Sequence, residues 1–205
     1  MKKAYTIDFD YNHSGDPERD AFHLPFEHSD KASTIFSNPK YESRLPSRIR
    51  FQGNFNLLPE YDYPLTDLQI PVMSKRMVEV FRGLGGTNFK EIPVEIIDDT
   101  FFGEKFSSKG ELLPQVPVIK DYRAIFIIEY SNAFDYENSS YQMSTINPAK
   151  PGYIETVVLT EKKGILPPLF RIKEASSHLF ISEQAYLALN EINAKGIDYQ
   201  EVEVL

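Results

Sequence analysis

Residues 70–97 read IPVMSKRMVEVFRGLGGTNFKEIPVEII and residues 178–205 read HLFISEQAYLALNEINAKGIDYQEVEVL, one pattern displaced by 108 positions, from Ser74 to Ser182. An apolar pair, Val72-Met73 or Phe180-Ile181, precedes each serine. Apolar residues then recur at helical spacing, at Met77, Val80, Phe81 and Leu84 in one copy and at Ala185, Ala188, Leu189 and Ile192 in the other. A serine in that place is a helix N-cap, since its hydroxyl accepts hydrogen bonds from the orphan amides of the first turn. Gly83, Gly85 and Gly86, and in the second copy Gly196, supply the backbone freedom at which a helix stops. Beyond them Phe89, Val94 and Ile96 match Ile197, Val202 and Val204. Each copy therefore predicts strand, serine cap, helix, turn and strand. Every residue in the pattern serves packing and none performs chemistry.

Working outward, Tyr5, Ile7, Phe9 and Tyr11 alternate with Thr6, Asp8 and Asp10, the period of a half-buried strand. From Asn12 to Ser47 the chain is rich in Pro, Ser, Asp and His without a sustained period, which predicts a surface excursion anchored by Phe22, Phe26 and Phe36. Ile49 and Phe51, then Gly53-Asn54, then Phe55 and Leu57 predict a β-hairpin. A strand over Ile92 to Ile97 leads into Asp98-Asp99 and a polar loop through Gly110. Pro114 and Pro117 mark the stretch Leu112 to Val118 as an edge. The continuous apolar run Ala124 to Ile128 predicts a central strand covered on both faces. Further strands are expected at Ile154 to Thr160 and Leu169 to Lys173. With strand pattern exceeding helical pattern and no convincing linker, the expected fold is α+β. It should be a single domain over residues 1–205, with mostly antiparallel sheet and a few short helices.

Composition bounds the function. A chain of 205 residues with 41% hydrophobic content can bury a sizeable core. The absence of cysteine excludes disulfides, cysteine zinc sites and a cysteine nucleophile, and fits a reducing cytoplasm. Met1-Lys2-Lys3 opens like an export signal, but Asp8 and Asp10 interrupt what would be its apolar segment, so a cytoplasmic location is expected. The run Ala124 to Ile128 is far shorter than the ~20 apolar residues of a membrane helix, so no membrane partner is expected. A net charge of −8 argues against a protein that binds nucleic acid by neutralising phosphates; it serves either to keep the chain in solution or to attract basic protein partners.

Few constellations invite chemistry. Asp8 and Asp10 share a strand face, as a divalent cation or an acid–base pair would need, but that face is also the solvated side of an amphipathic strand. His13, His23 and His28, with Asp16, Glu18 and Asp20, supply ligand types without the i, i+4 spacing of a helical metal pair. Gly83-Leu84-Gly85-Gly86 follows a helix, whereas a phosphate-binding loop precedes one. There is no Gly-x-Ser-x-Gly elbow and no His-Glu-x-x-His. The 12 tyrosines and 15 phenylalanines fit core and interface roles better than base stacking in so acidic a chain.

Residues 60–205 resemble a bacterial family first catalogued as a domain of unknown function. The resemblance rests on the apolar strand Tyr122 to Tyr130, the turn Ala133 to Ser139 with its Asp135-x-x-x-Ser139 spacing, Leu169 to Ile172, Leu179 to Glu183 and the ending Gly196 to Tyr199. Members of that family are predicted immunity proteins of polymorphic-toxin systems. The resemblance therefore implies a non-enzymatic protein, without cofactor, metal or catalytic residues, that binds and neutralises a cognate toxin domain. Asp135 and Ser139 read as a hydrogen-bonded turn rather than a site. The contacts expected for a toxin partner are the acidic and aromatic residues Asp16, Glu18, Asp20, Asp98, Asp99, Phe101, Phe102 and Glu104. The alternatives are a small metal-dependent hydrolase using Asp8, Asp10, His13 and Asp16, and a structural homodimeric subunit.

Overall fold

The computed structural model of the chain describes residues 2–12, 20–148, 150–162 and 164–205. Ser74 and Ser182 each cap a helix, as expected. Strand β4 (Val72–Ser74) feeds helix α2 (Lys75–Leu84), which the Ser74 hydroxyl caps by accepting from the Met77 amide at 3.2 Å. Gly85, at φ 67°, ends the helix, and β5 (Phe89–Asp98) follows. In the second copy β11 (Leu179–Ser182) feeds α3 (Glu183–Glu191), capped by Ser182 accepting from the Ala185 amide at 3.3 Å, and β12 (Ile197–Val204) follows.

Both copies are split: the two strands of each lie parallel but apart, with a third, antiparallel strand between them. In the first copy that strand is β6 (Val118–Ile127), and in the second it is β1 (Lys2–Phe9). The register agrees residue by residue. Tyr122 of β6 lies opposite Ser74 and Val94, as Ala4 of β1 lies opposite Ser182 and Val202. Ala124 lies opposite Val72 and Ile92, as Thr6 lies opposite Phe180 and Gln200. The sequence pattern had shown two strands and a helix per unit, and the shared middle strand is a finding of the structure.

Each unit seeds a five-stranded sheet. The first has the order β2 (Phe22–His23), β3 (Ile49–Gly53), β5, β6, β4, and the second has β10 (Leu169–Phe170), β11, β1, β12, β9 (Val158–Leu159). Helices α2 and α3 pack together between the sheets in one core with Ile7, Phe9, Ile125, Ile127 and Ile181. Met77, Phe81 and Leu189 are fully buried there, each worth about 1.5–3 kcal/mol of apolar burial. The outer face of the first sheet is covered by α1 (Ala32–Phe36) and the turns around it, and that of the second by Phe134, Leu166 and neighbours. A hairpin, β7 (Ser140–Met143) and β8 (Pro151–Thr156), stands beside the second sheet. The architecture is α+β, with the sheets mostly antiparallel. No helix of the described residues is long and apolar enough to cross a membrane.

Strand β6 is central and buried on both faces over Ala124 to Ile127, as its apolar run implied. Five expectations change, two of them in strand extent: the strand expected over Ile154 to Thr160 breaks at Val157 between β8 and β9, and the one expected over Leu169 to Lys173 ends at Phe170. Gly53-Asn54 does not turn a hairpin: β3 pairs in parallel with β5, and Asn54 starts a helical turn, its carbonyl accepting from the Leu57 and Leu58 amides. Gly53 is needed for close approach, because a Cβ there would sit 2.1 Å from Leu58 Cδ1. The excursion after Asn12 is less extended than expected, since α1 buries Ile35 and Phe36, while Phe22 stays half exposed. The stretch Leu112 to Val116 is loop rather than edge strand, bridged only at Phe106 and Leu112.

One buried carboxylate ties the two units together. Asp62 is 2% exposed and accepts from Ser74 Oγ at 2.5 Å, Arg76 Nε at 2.6 Å and the Lys195 amide at 3.0 Å, with Arg76 Nη2 on its second oxygen. Its own amide donates to Lys195 O at 2.9 Å, and its carbonyl accepts from the Ser74 amide at 2.7 Å. Burial opposes its charge, but the bonds from Arg76, Ser74 and Lys195 outweigh that and hold the carboxyl below its ordinary value.

Candidate partner-binding site

The connection from β5 to β6, residues 99–117, is irregular but fastened at many points. Asp98 closes β5: its amide donates to Pro117 O at 3.2 Å, and its Oδ1 accepts from the Thr100 amide at 3.0 Å and from Thr100 Oγ1 at 2.8 Å. The Asp99 amide donates to Gly53 O at 3.2 Å, and Lys105 Nζ donates to Asp99 O at 3.4 Å. Further on, the Leu113 amide donates to Lys105 O at 3.0 Å and the Ser107 amide to Glu111 O at 2.8 Å. These bonds give the loop one shape without a hydrophobic core of its own.

On that platform Phe102 is 100% exposed. Asp99 and Glu104 flank it and are exposed too, while Phe101 is half-buried, with its ring under Gly103. Glycine is favoured at 103, because its φ of 145° strains a residue with a side chain and a Cβ would lie 3.3 Å from Phe101 Cε1. Residues 98–105 carry three carboxylates and a single ammonium, that of Lys105. A large apolar ring framed by carboxylates can serve as a recognition anchor: burying it in a partner's pocket is worth about 1.5–3 kcal/mol, and the charges steer a basic partner toward it.

Of the residues expected to contact a partner, Asp99, Phe102 and Glu104 present their side chains to solvent, whereas Asp98 spends its carboxylate on Thr100 and Phe101 supports the turn. Asp20 reaches the same end of the sheet by topology. Strand β2 runs antiparallel to β3 with Phe22 opposite Gln52, and β3 runs parallel to β5 with Gly53 opposite Asp98, so the residues before β2 and after β5 emerge together. Asp16 and Glu18 lie outside the described residues, as does His13.

The carboxylates of the metal alternative have local roles. Asp8 Oδ1 accepts from the Phe9 amide at 2.8 Å and Asp10 Oδ1 from the Asn12 amide at 3.0 Å. Among the described residues no three His, Asp or Glu side chains converge as a metal site. His23 faces Asp67, with Nδ1 2.7 Å from Oδ2, and His28 sits at φ 66° before a short helical turn. Asp135 forms the expected turn, accepting from the Glu137 and Asn138 amides at 2.9 and 3.2 Å.

Sequence reasoning missed three buried charges, those of Asp62, Glu95 and Arg171. Glu95 is met by Arg50 Nε at 3.0 Å and Arg48 Nη1 at 3.3 Å, with Lys120 Nζ at 3.7 Å. Burial works against its charge, but Arg50 and Arg48 hold its carboxyl below the ordinary value. Arg171 is 5% exposed. Neither Glu95 nor Arg171 carries a signal in the chain, because both read as ordinary polar alternation within a strand. The chain matches no protein-family model and no curated protein.

Proposed function

We propose that this chain is a non-enzymatic immunity protein that binds a cognate bacterial toxin domain and neutralises it by occupying its working surface. The observation that supports this reading best is the fully exposed Phe102, framed by the exposed Asp99 and Glu104 on a loop that main-chain hydrogen bonds hold in shape. A loop whose main chain is already held in shape costs little further backbone entropy on binding, and central aromatic anchors carry most of the energy of protein interfaces. The acidic loop and the net charge of −8 suit a basic partner.

The test is co-expression with the C-terminal domain encoded by the neighbouring gene, scored by growth rescue and by a co-purifying complex. Wild type is expected to rescue. Phe102→Ala should weaken the complex by at least about 2 kcal/mol, the loss typical of a central anchor, with unfolding unchanged. Glu104→Lys should slow association in a salt-dependent way. Rescue by wild type with undiminished binding of both variants would remove the loop from the interface. No rescue and no complex would remove the function itself.

A further inference from the structure

We propose that the cavity at the C-terminal end of β1, beside the segment after β10, is a binding site for a small organic monocarboxylate with an apolar body. The observation that carries this is Arg171, which lines the cavity though 95% of its surface is buried. Its Nη1 donates to Ser176 O at 2.7 Å and His178 O at 3.1 Å, while its Nε is buried without a partner. Among the described residues no carboxylate pairs with it. Burial lowers its pKa to about 10, so the guanidinium remains charged at neutral pH.

Holding two carbonyls needs donors but not a charge, and a buried cation without a counter-charge is costly to keep. A carboxylate in the cavity supplies the charge that the guanidinium lacks. Arg76 shows the partner a guanidinium takes in this same chain, the carboxylate of Asp62. The cavity measures about 300 Å³, room for a small molecule. Phe9, Tyr11, Tyr63 and Pro71 provide apolar walls, and the Phe9 and Tyr63 rings stack at 4.8 Å. Gln69 and Gln200 add neutral polar groups, Gln69 being held at φ 51°, an uncommon conformation for a residue with a side chain. Asp8 also lines the cavity, and its charge disfavours a dianion such as phosphate more than it does a monoanion.

The experiment titrates the intact protein, observed by amide NMR, with benzoate, with benzamide as its neutral counterpart, and with inorganic phosphate. Benzoate is expected to give saturable shifts confined to the amides around Asp8, Gln69, Arg171 and His178. Benzamide should bind about tenfold more weakly or worse, as loss of a charged hydrogen-bond partner implies, and phosphate should not saturate. Arg171→Met should weaken benzoate by about tenfold or more. If that variant does not fold, Tyr11→Ala at the exposed wall should weaken benzoate several-fold with the rest of the spectrum unchanged. Equal binding of benzoate and benzamide, saturable shifts elsewhere only, or no saturable shifts with benzoate would overturn the assignment.

Discussion

Removing the Asp62 carboxylate should loosen the joint between the two β-α-β units. In Asp62→Ala the Lys195 amide and the Ser74 hydroxyl lose a charged acceptor at 3.0 and 2.5 Å, and Arg76 loses its paired contact. The Arg76 side chain is 55% exposed, so water takes over much of its share and the ion pair itself adds little. The main loss is the two stranded donors, each costing about 1–3 kcal/mol where water cannot reach them. The expected total is about 3 kcal/mol. With a urea slope of about 2 kcal/mol per molar, the unfolding midpoint should fall by about 1.5 M. The pH dependence fixes the cause. The folded carboxyl titrates below its unfolded value near 3.8, so its stabilisation is complete above that pH and is lost as pH falls through the folded value. The deficit of Asp62→Ala relative to wild type should therefore be constant from neutral pH to about 5 and shrink below 3.8. A deficit under about 1 kcal/mol at pH 7, or one that stays constant into acid, would refute the reasoning.

Ser182→Ala should cost about 1 kcal/mol in urea unfolding, the worth of an N-cap, and Ser74→Ala should cost more because its hydroxyl also donates to Asp62. Equal losses would mean that the Asp62 bond adds nothing. Gly196→Ala should cost about 1–3 kcal/mol, since φ is 83° and a Cβ would meet Tyr61 Cδ1 and Tyr63 O, both at 2.9 Å. Gly85→Ala, at φ 67° with open space around it, should cost less in the same assay. Phe102→Ala should leave the unfolding midpoint within about 0.5 kcal/mol of wild type, as befits a fully exposed side chain.

The features legible in the sequence were the local ones. A serine cap acts within one turn and a strand's alternation within a few residues, so Ser74, Ser182 and the strands after each helix follow from short windows. Partner choice between strands is a long-range property. Gly53-Asn54 reads as a hairpin turn, but β3 finds a parallel partner in β5 some 45 positions on, Ile49 facing Val94. Helix α1 is only five residues long, too short for its period to register. The loop after β5 was readable as polar and aromatic. That Asp98 turns inward while Phe102 points out depends on hydrogen bonds to Thr100 and Pro117. Arg171, Asp62 and Glu95 look like any exposed charge until the fold closes over them.

The middle strand of the second unit has a consequence for the order of assembly. The strands of the first unit lie within residues 72–127, so they leave the ribosome together and can pair at once. Strand β1 leaves before the other described strands, yet its neighbours begin only at Leu179, 170 positions after Phe9. At ordinary translation speeds of about 5–20 residues per second, β1 waits roughly 10–30 s with Ile7 and Phe9 uncovered. During that interval it is an unpaired apolar strand. A chaperone, or a second nascent copy offering its own β11 and β12, would find its target there.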